Sequence, residues 1–282
     1  MSLNSVNTNM GAMVALESLN LTNTQLQATQ KQISTGYRVA DATDDGAAYA
    51  VAQSVRSNVA ALTSANQQLQ NSSGLLSATT TGLNAISNQM TTMHGILVKL
   101  ADGSVQGNER AQYQSQIKSY LADIKNYITD ANYNGKTLIG NFGAATGYGS
   151  VNVIRNEQGS QYTINATAAS GIYAGMTSLG GTTQTATTIA AALTATGAFT
   201  TQFNAVSSAL NRYGNASDYV NAQVTFNNDR IDAMNSGVGA LVDADLSKEA
   251  ANLQALQTRQ QLATQSLSIA NQAPNNLLSL FK

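Results

Sequence analysis

The sequence contains no cysteine and only one proline, Pro274. Without cysteine the chain has no disulfide, no thiol nucleophile and no thiolate metal site. Because proline is the strongest helix breaker, residues 1–273 are free to form very long helices. The two absences together favour an extended helical protein over a disulfide-stabilised domain or a cysteine-dependent enzyme.

Charged side chains are also scarce, at 10% of the chain with a net charge of −1, against roughly 25% charged residues in ordinary soluble domains. No basic stripe is present to neutralise phosphates, so no nucleic acid partner is expected. A weakly charged surface repels its own copies little, which favours close packing of many subunits.

Long hydrophobic runs are absent as well. No stretch approaches 18 consecutive apolar residues, so we expect no membrane insertion. The first twenty residues lack the basic region and apolar run of a signal peptide. A secreted form of this chain would therefore need another export route.

Apolar residues instead recur at seven-residue steps. Such a row stays on one side of a helix and needs a second helix to cover it. The first long row predicts a helix of roughly 80 Å within 44–101, and two parallel rows predict another within 199–241. The members of the first row are Val55, Leu62, Leu69, Leu76, Leu83, Met90 and Leu97.

Both ends of the chain carry a shorter seam of this kind. Neither end can bury its seam alone, so the ends are expected to meet each other, other copies, or both. The predicted self-assembly residues are Leu16, Leu19, Leu26 and Ile33 at the front, then Leu246, Leu253, Leu256 and Leu267, and after Pro274 Leu277, Leu278, Leu280 and Phe281.

These patterns predict a mainly α fold. We expect a long antiparallel helical rod or coiled-coil bundle with a small β-hairpin at about 138–166 and paired N- and C-terminal helices. Residues 1–40 plus 243–282 form the predicted inner domain, and 41–242 the outer one. Residues 166–198 are rich in threonine and glycine and are predicted to be an exposed connection, with a short helix around 186–194 as the alternative for that part.

Three motifs resemble bacterial flagellin, and the resemblance spans the whole chain. Gln32-Ile-Ser-Thr-Gly-Tyr-Arg38 with the following Asp-Asp is similar to the N-terminal signature, and Tyr133-Asn-Gly is similar to the turn before the hairpin. The stretch 238–281 is similar to the C-terminal signature. The signature residues singled out are Ser34, Gly36, Arg38, Asp44, Asp45, Asp243 and Asp245.

The resemblance implies an extracellular filament subunit for swimming motility. It implies export in an unfolded state by the flagellar type III apparatus with an export chaperone. It implies assembly with other flagellin copies and with hook-associated junction and cap proteins, from terminal helices that are disordered in the free monomer. Many family members carry O-linked glycans on exposed Ser or Thr. Since only about residues 166–198 lie where longer members insert domains, this is a short, core-only member.

One departure from the family concerns animal Toll-like receptor recognition. Recognised members carry Leu-Gln-Arg-Val-Arg-Glu-Leu, and residues 90–96 here have Thr92, His94 and Gly95 at the two arginines and the glutamate. Guanidinium and carboxylate contacts would be lost. We expect weak or no receptor activation.

Alternatives are weighed against these expectations. A hook–filament junction protein shares the paired terminal helices. An enzyme has little support, because the single histidine, His94, lacks a nucleophile or ligand set at supporting spacing, and no cofactor is expected. Asp44 and Asp45, like Asp243 and Asp245, suit helix N-termini better than a metal site. A membrane-surface protein would need more Lys and Arg.

Overall fold

The computed structural model describes residues 8–140, 142, 147–181 and 184–279, with side chains up to residue 272. Seven α-helices and one hairpin are found among these residues. In chain order they are α1 (Met10–Thr35), α2 (Gly46–Ala101), α3 (Gly107–Asp130), β1 (Val151–Ile154), β2 (Gln161–Ile164), α4 (Ala169–Thr177), α5 (Ala186–Ala192), α6 (Ala198–Val242) and α7 (Leu246–Ser279).

The mainly α fold, the small antiparallel hairpin and the pairing of the first and last helices confirm the predicted fold class. In the described part of the chain, no helix has the length and apolarity needed to cross a membrane. The predicted C-terminal apolar residues Leu277, Leu278, Leu280 and Phe281 fall outside the residues whose side chains the structure describes.

Packing divides the chain into two units. One comprises residues 1–57 with 232–282, and the other residues 58–231. The division falls inside α2 and α6, so each of these helices contributes to both units. The predicted boundaries at 40/41 and 242/243 lie instead in the connections between helices, and the domain assignment drawn from them stays a prediction.

The core of the larger unit follows the seven-residue row of α2. From Leu62 to Leu97 every member of the row has no exposed surface. Within this unit α6 contributes Val206, Tyr213 and Val220, and α3 contributes Ile117, Ile124 and Ile128. Burying a leucine of this kind stabilises the fold by roughly 1.5–3 kcal/mol, so the row makes a substantial contribution to the stability of this unit.

Two glycines let neighbouring segments approach α2 closely. A Cβ at Gly82 would lie 2.6 Å from the Ala131 methyl group, and one at Gly74 would lie 2.8 Å from the Tyr133 ring. Both glycines are therefore sites of close packing between helix and neighbouring segment. Gly95 of the same helix is not such a site, because a Cβ there would meet nothing within 4 Å.

Polar side chains join the hairpin to the helices of the larger unit. The Tyr213 hydroxyl donates to the backbone carbonyls of Leu138 at 3.3 Å and Asn165 at 3.0 Å. The buried Asn227 amide donates to Asn66 Oδ1 at 2.8 Å and to the Arg155 carbonyl at 3.1 Å. These bonds satisfy buried polar groups and fix the hairpin on α2 and α6.

The prediction of an exposed connection at about 166–198 is wrong for much of that segment. It forms α4, a 3₁₀ turn and α5, and its apolar side chains join the core of the larger unit. The short helix considered for residues 186–194 is confirmed as α5 (Ala186–Ala192). The segment has low sequence complexity, but it also contains a few large apolar residues at spacings that allow short helices. The most buried of these are Ile172, Met176, Leu179 and Ile189.

Candidate assembly site

The first and last helices pack against each other along one face each. Two amide hydrogen bonds fix their antiparallel register. Gln260 Nε2 donates to Asn23 Oδ1 at 2.7 Å, and Asn9 Nδ2 donates to the Ala270 carbonyl at 2.7 Å. We refer to α1 with α7 as the terminal pair. It lies wholly within the smaller unit.

The interface inside the terminal pair contains few large side chains that are fully buried. Its buried residues are Thr22, Thr29 and Ala263, at 3%, 7% and 9% exposure. The two threonines were not predicted as interface residues, because a search for apolar residues passes over polar ones. They do follow Ala15 at seven-residue steps. The predicted seam residues that lie half-buried in this interface are Leu19, Leu26, Ile33, Leu253, Leu256 and Leu267.

The other two predicted seam residues with described side chains face solvent. Leu16 is 48% exposed and Leu246 is 51% exposed. Leu16 comes one residue after Ala15, which occupies the inward position of that turn. Contact of Leu16 and Leu246 with other copies remains a prediction.

Large apolar side chains also cover the outside of the terminal pair. On α1 they form a stripe of four residues, each more than half exposed. On α7 two residues seven positions apart are also more than half exposed. The stripe consists of Met10, Met13, Val14 and Leu21, and the α7 residues are Leu262 and Ile269. The pair in one chain therefore leaves much of its apolar surface uncovered.

At one end of the terminal pair, residues 36–45 lie beside residues 239–245, and we call this contact the junction. Gly36 ends α1 with φ of 75°, a left-handed conformation that glycine adopts without strain. Arg38 donates from its backbone to the Val242 carbonyl at 2.7 Å and from its guanidinium to the Leu241 carbonyl. Tyr37 forms an antiparallel bridge with Asp243.

Aspartates begin both helices that leave the junction. Asp45 Oδ1 accepts from the Ala48 backbone at 3.0 Å ahead of α2, and Asp245 Oδ1 accepts from the Lys248 backbone at 3.1 Å ahead of α7. These are helix N-caps, since a short acceptor side chain satisfies backbone N–H groups that have no helical partner. The helix-start role expected for these two aspartates agrees with this geometry.

Asp44 has a different role from the one expected. Its carboxylate accepts from Lys31 Nζ at 2.8 and 2.9 Å and from the Ala40 backbone at 2.9 Å. Lys31 also binds Asp41 at 2.7 Å. Hydrogen bonding to Lys31, then to the Ala40 backbone, lowers the pKa of Asp44. The cluster ties the last turn of α1 to the loop before α2.

The remaining signature residues are structural. Ser34 is exposed in the last turn of α1, and Asp243 contributes backbone contacts to the junction. His94 is exposed and stacks on Phe199 with ring centroids 5.3 Å apart. Across the described ranges, no group of three or more His, Cys, Asp or Glu side chains could hold a metal ion. Paired helices with uncovered apolar faces favour the class of structural proteins that assemble with other chains.

Comparisons with known proteins agree with this class. The models for the bacterial flagellin N-terminal and C-terminal helical regions match residues 6–142 and 182–281. Flagellin FljK of Caulobacter vibrioides is 36% identical, and a flagellin of Brucella melitensis 31% identical, with at least 99% of each chain covered. The chain belongs to the bacterial flagellin family, whose members are structural proteins and not enzymes.

Solved structures give weaker likenesses. The Bacillus cereus flagellin crystal structure has a TM-score of 0.37 and 14% identity, covering 66% of this chain and 94% of that one. A putative flagellar hook-associated protein of Vibrio parahaemolyticus has a TM-score of 0.42 and 16% identity, covering 78% and 99%. Values this low do not separate a filament subunit from a hook-associated protein.

Proposed function

We propose that this chain polymerises into the extracellular flagellar filament used for swimming, and that the terminal pair is its assembly surface. Family membership supports the filament role. The terminal pair is assigned as the assembly surface because its outer face is apolar and uncovered, with Met13 at 58%, Leu21 at 60% and Leu262 at 63% exposure. Covering these side chains with neighbouring copies stabilises the polymer by roughly 25 cal/mol per Å² of apolar surface.

The shallow interface inside the terminal pair supports a second part of the proposal. Helices that bury few large side chains open at low free energy. The terminal segments are therefore loosely ordered in a free copy and gain full order in the polymer. Ordering costs about 1–2 kcal/mol per residue, so assembly requires several neighbours at once.

Addition of the purified chain to short filament seeds tests the polymer role. We expect elongation visible by electron microscopy, and amide hydrogen exchange in α1 and α7 that is fast in the monomer and slow in the filament. A chain whose termini are fully protected as a monomer, and which does not add to seeds, would contradict the proposal. Filaments grown from this chain alone exclude the hook–filament junction role.

The last residues offer a separate test. We expect deletion of 277–282 to leave a soluble monomer that no longer extends filaments, because the final apolar turn is part of the predicted assembly surface. Normal filaments in a motile deletion strain would refute this role. A deletion of similar size in the hairpin loop, residues 156–160, is the control for general loss of folding.

Export through the flagellar type III apparatus, with a chaperone, is part of the proposal, as is assembly beside hook-associated and cap proteins. Family membership supports this route. Culture supernatants of a strain without the apparatus should lack the protein. Intact-mass measurement of secreted protein tests glycosylation of exposed Ser or Thr.

Weak or absent Toll-like receptor activation is also proposed. Thr92, His94 and Gly95 are exposed on α2, and none of them supplies the guanidinium or carboxylate of recognised members. A reporter-cell assay giving full potency would contradict it. The variant Thr92→Arg with His94→Arg and Gly95→Glu should raise potency.

A further inference from the structure

Four charged residues on the terminal pair have no ion-pair partner among the described residues. Lys248 and Glu249 are neighbours of opposite sign near the start of α7, which leaves Glu17 on α1 and Arg259 on α7 as isolated charges, both exposed. The only other charged residue of α1 is Lys31, which is already paired. An isolated charge on a surface so poor in charged residues is a candidate contact for a partner of opposite charge.

Glu17 lies within the exposed apolar stripe of α1. It follows Met13 and precedes Leu21 by four residues each, so the three side chains share one face. It also comes two residues before the inward-facing Leu19, which places it roughly 200° around the helix. The stripe therefore points away from α7 and carries a single carboxylate.

Arg259 borders a groove between the two helices of the terminal pair. The groove has a volume of about 370 Å³. Its walls combine small and apolar residues with two amides, and they consist of Gln25, Ala28 and Thr29 from α1 and Asn252, Ala255 and Leu256 from α7. A groove with small side chains in its walls and a guanidinium at its border can accept a stripe that carries one central carboxylate.

The two charges do not meet within one chain. Asn23 lies opposite Gln260, the neighbour of Arg259. Glu17 is six residues from Asn23, about 9 Å along the helix, and on the outer face of α1. A contact between Glu17 and Arg259 can therefore form only between two copies.

We propose that the α1 stripe of one copy lies in the α1–α7 groove of a neighbouring copy, with Glu17 of the first bound to Arg259 of the second. This inference rests on the proposed function and names the two surfaces that meet. The apolar residues provide contact area, and the ion pair selects the axial register, because a shifted copy leaves both charges unpaired against apolar surface.

Charge reversal on the full-length chain tests the pairing. Glu17→Arg and Arg259→Glu should each raise the critical concentration for elongation of seeds about tenfold. The double variant should return to within about threefold of the unaltered chain, because the pair is restored with its sign exchanged. Glu109→Arg, at an exposed glutamate of α3, matches the change in net charge of Glu17→Arg and should have little effect.

The possible outcomes separate this inference from the proposed function. If single reversals have no effect, or if the double variant assembles as poorly as the singles, the pairing is wrong while the filament role stands. If the unaltered chain does not elongate seeds, the proposed function itself fails. Circular dichroism of each monomer checks folding before assembly is measured.

Cross-linking provides a second readout that does not depend on assembly strength. The chain has no cysteine, so Glu17→Cys combined with Arg259→Cys introduces the only two thiols. A short bismaleimide should give a ladder of covalent multimers from filaments and none from dilute monomer. A Glu109→Cys, Arg259→Cys control should give no ladder. Absence of the ladder from the first variant would overturn the pairing.

Discussion

The seven-residue row of α2 is fully buried from Leu62 to Leu97, whereas the interface of the terminal pair is only partly buried. A leucine-to-alanine substitution in each therefore compares the two kinds of packing. Leu83 has no exposed surface in the larger unit. Leu26 is half-buried between α1 and α7. Both are leucines in long helices, so replacement by alanine changes helix propensity by the same small amount.

The two substitutions should act on different equilibria. Leu83→Ala leaves a cavity in close-packed surroundings and should lower the free energy of monomer unfolding by about 3–4 kcal/mol. Leu26→Ala should change it by no more than about 0.5 kcal/mol, because the terminal pair opens before the core unfolds. In the polymer Leu26 is ordered, and a loss of about 1–2 kcal/mol per copy raises the critical concentration about five- to thirtyfold.

Urea unfolding of the monomer, followed by the near-ultraviolet tyrosine signal, measures the first quantity. Seeded elongation, followed by light scattering and sedimentation, measures the second. The reasoning would be refuted if Leu26→Ala destabilised the monomer as much as Leu83→Ala. It would equally fail if Leu26→Ala left the critical concentration unchanged, because the terminal pair would then not be part of the assembly surface.

Further substitutions test single contacts. Gly82→Ala should destabilise the monomer by about 1–3 kcal/mol through overlap with a neighbouring methyl group, whereas Gly95→Ala should stabilise it by up to about 1 kcal/mol, both measured by urea unfolding. Asn227→Ala should cost about 2–3 kcal/mol by leaving buried groups unpaired, with exposed Asn221→Ala as the control. The lowered pKa of Asp44 means that its bond to Lys31 stabilises the fold above about pH 4 and is lost as pH falls through the lower folded-state pKa. Asp44→Asn should therefore flatten the pH dependence of the melting temperature below about pH 4.

Periodicity in the sequence was sufficient to predict the helices that bury large apolar residues. The row of Leu62 to Leu97 predicted α2 and its buried face, and the hairpin predicted at about 138–166 contains both observed strands. The aspartate before α2 predicted the start of that helix, because the capping chemistry is local.

Other features could not be predicted, because they depend on tertiary contacts between residues that are far apart in the sequence. Thr22 and Thr29 are buried in the terminal pair because the register set by Asn23 and Gln260 places them inward. The ion pairs of Lys31 involve residues ten and thirteen positions away across a loop. The helices within 166–198 are short and poor in large apolar residues, so the packing of Met176 and its neighbours outweighs a composition typical of loops.

The junction has a consequence for the order of folding events. The backbone amides of Arg38 and Val39 both bind the carbonyl of Val242, and the amide of Ala244 binds the carbonyl of Gly36. These partners are separated by about two hundred residues. A nascent chain that lacks its last sixth therefore lacks Val242 and Ala244, and none of these bonds can form. Closing so large a loop is slow relative to forming local helices. When the chain is synthesised or exported with its N-terminus first, the C-terminal end of α1 can therefore form these hydrogen bonds only after almost the whole chain has emerged.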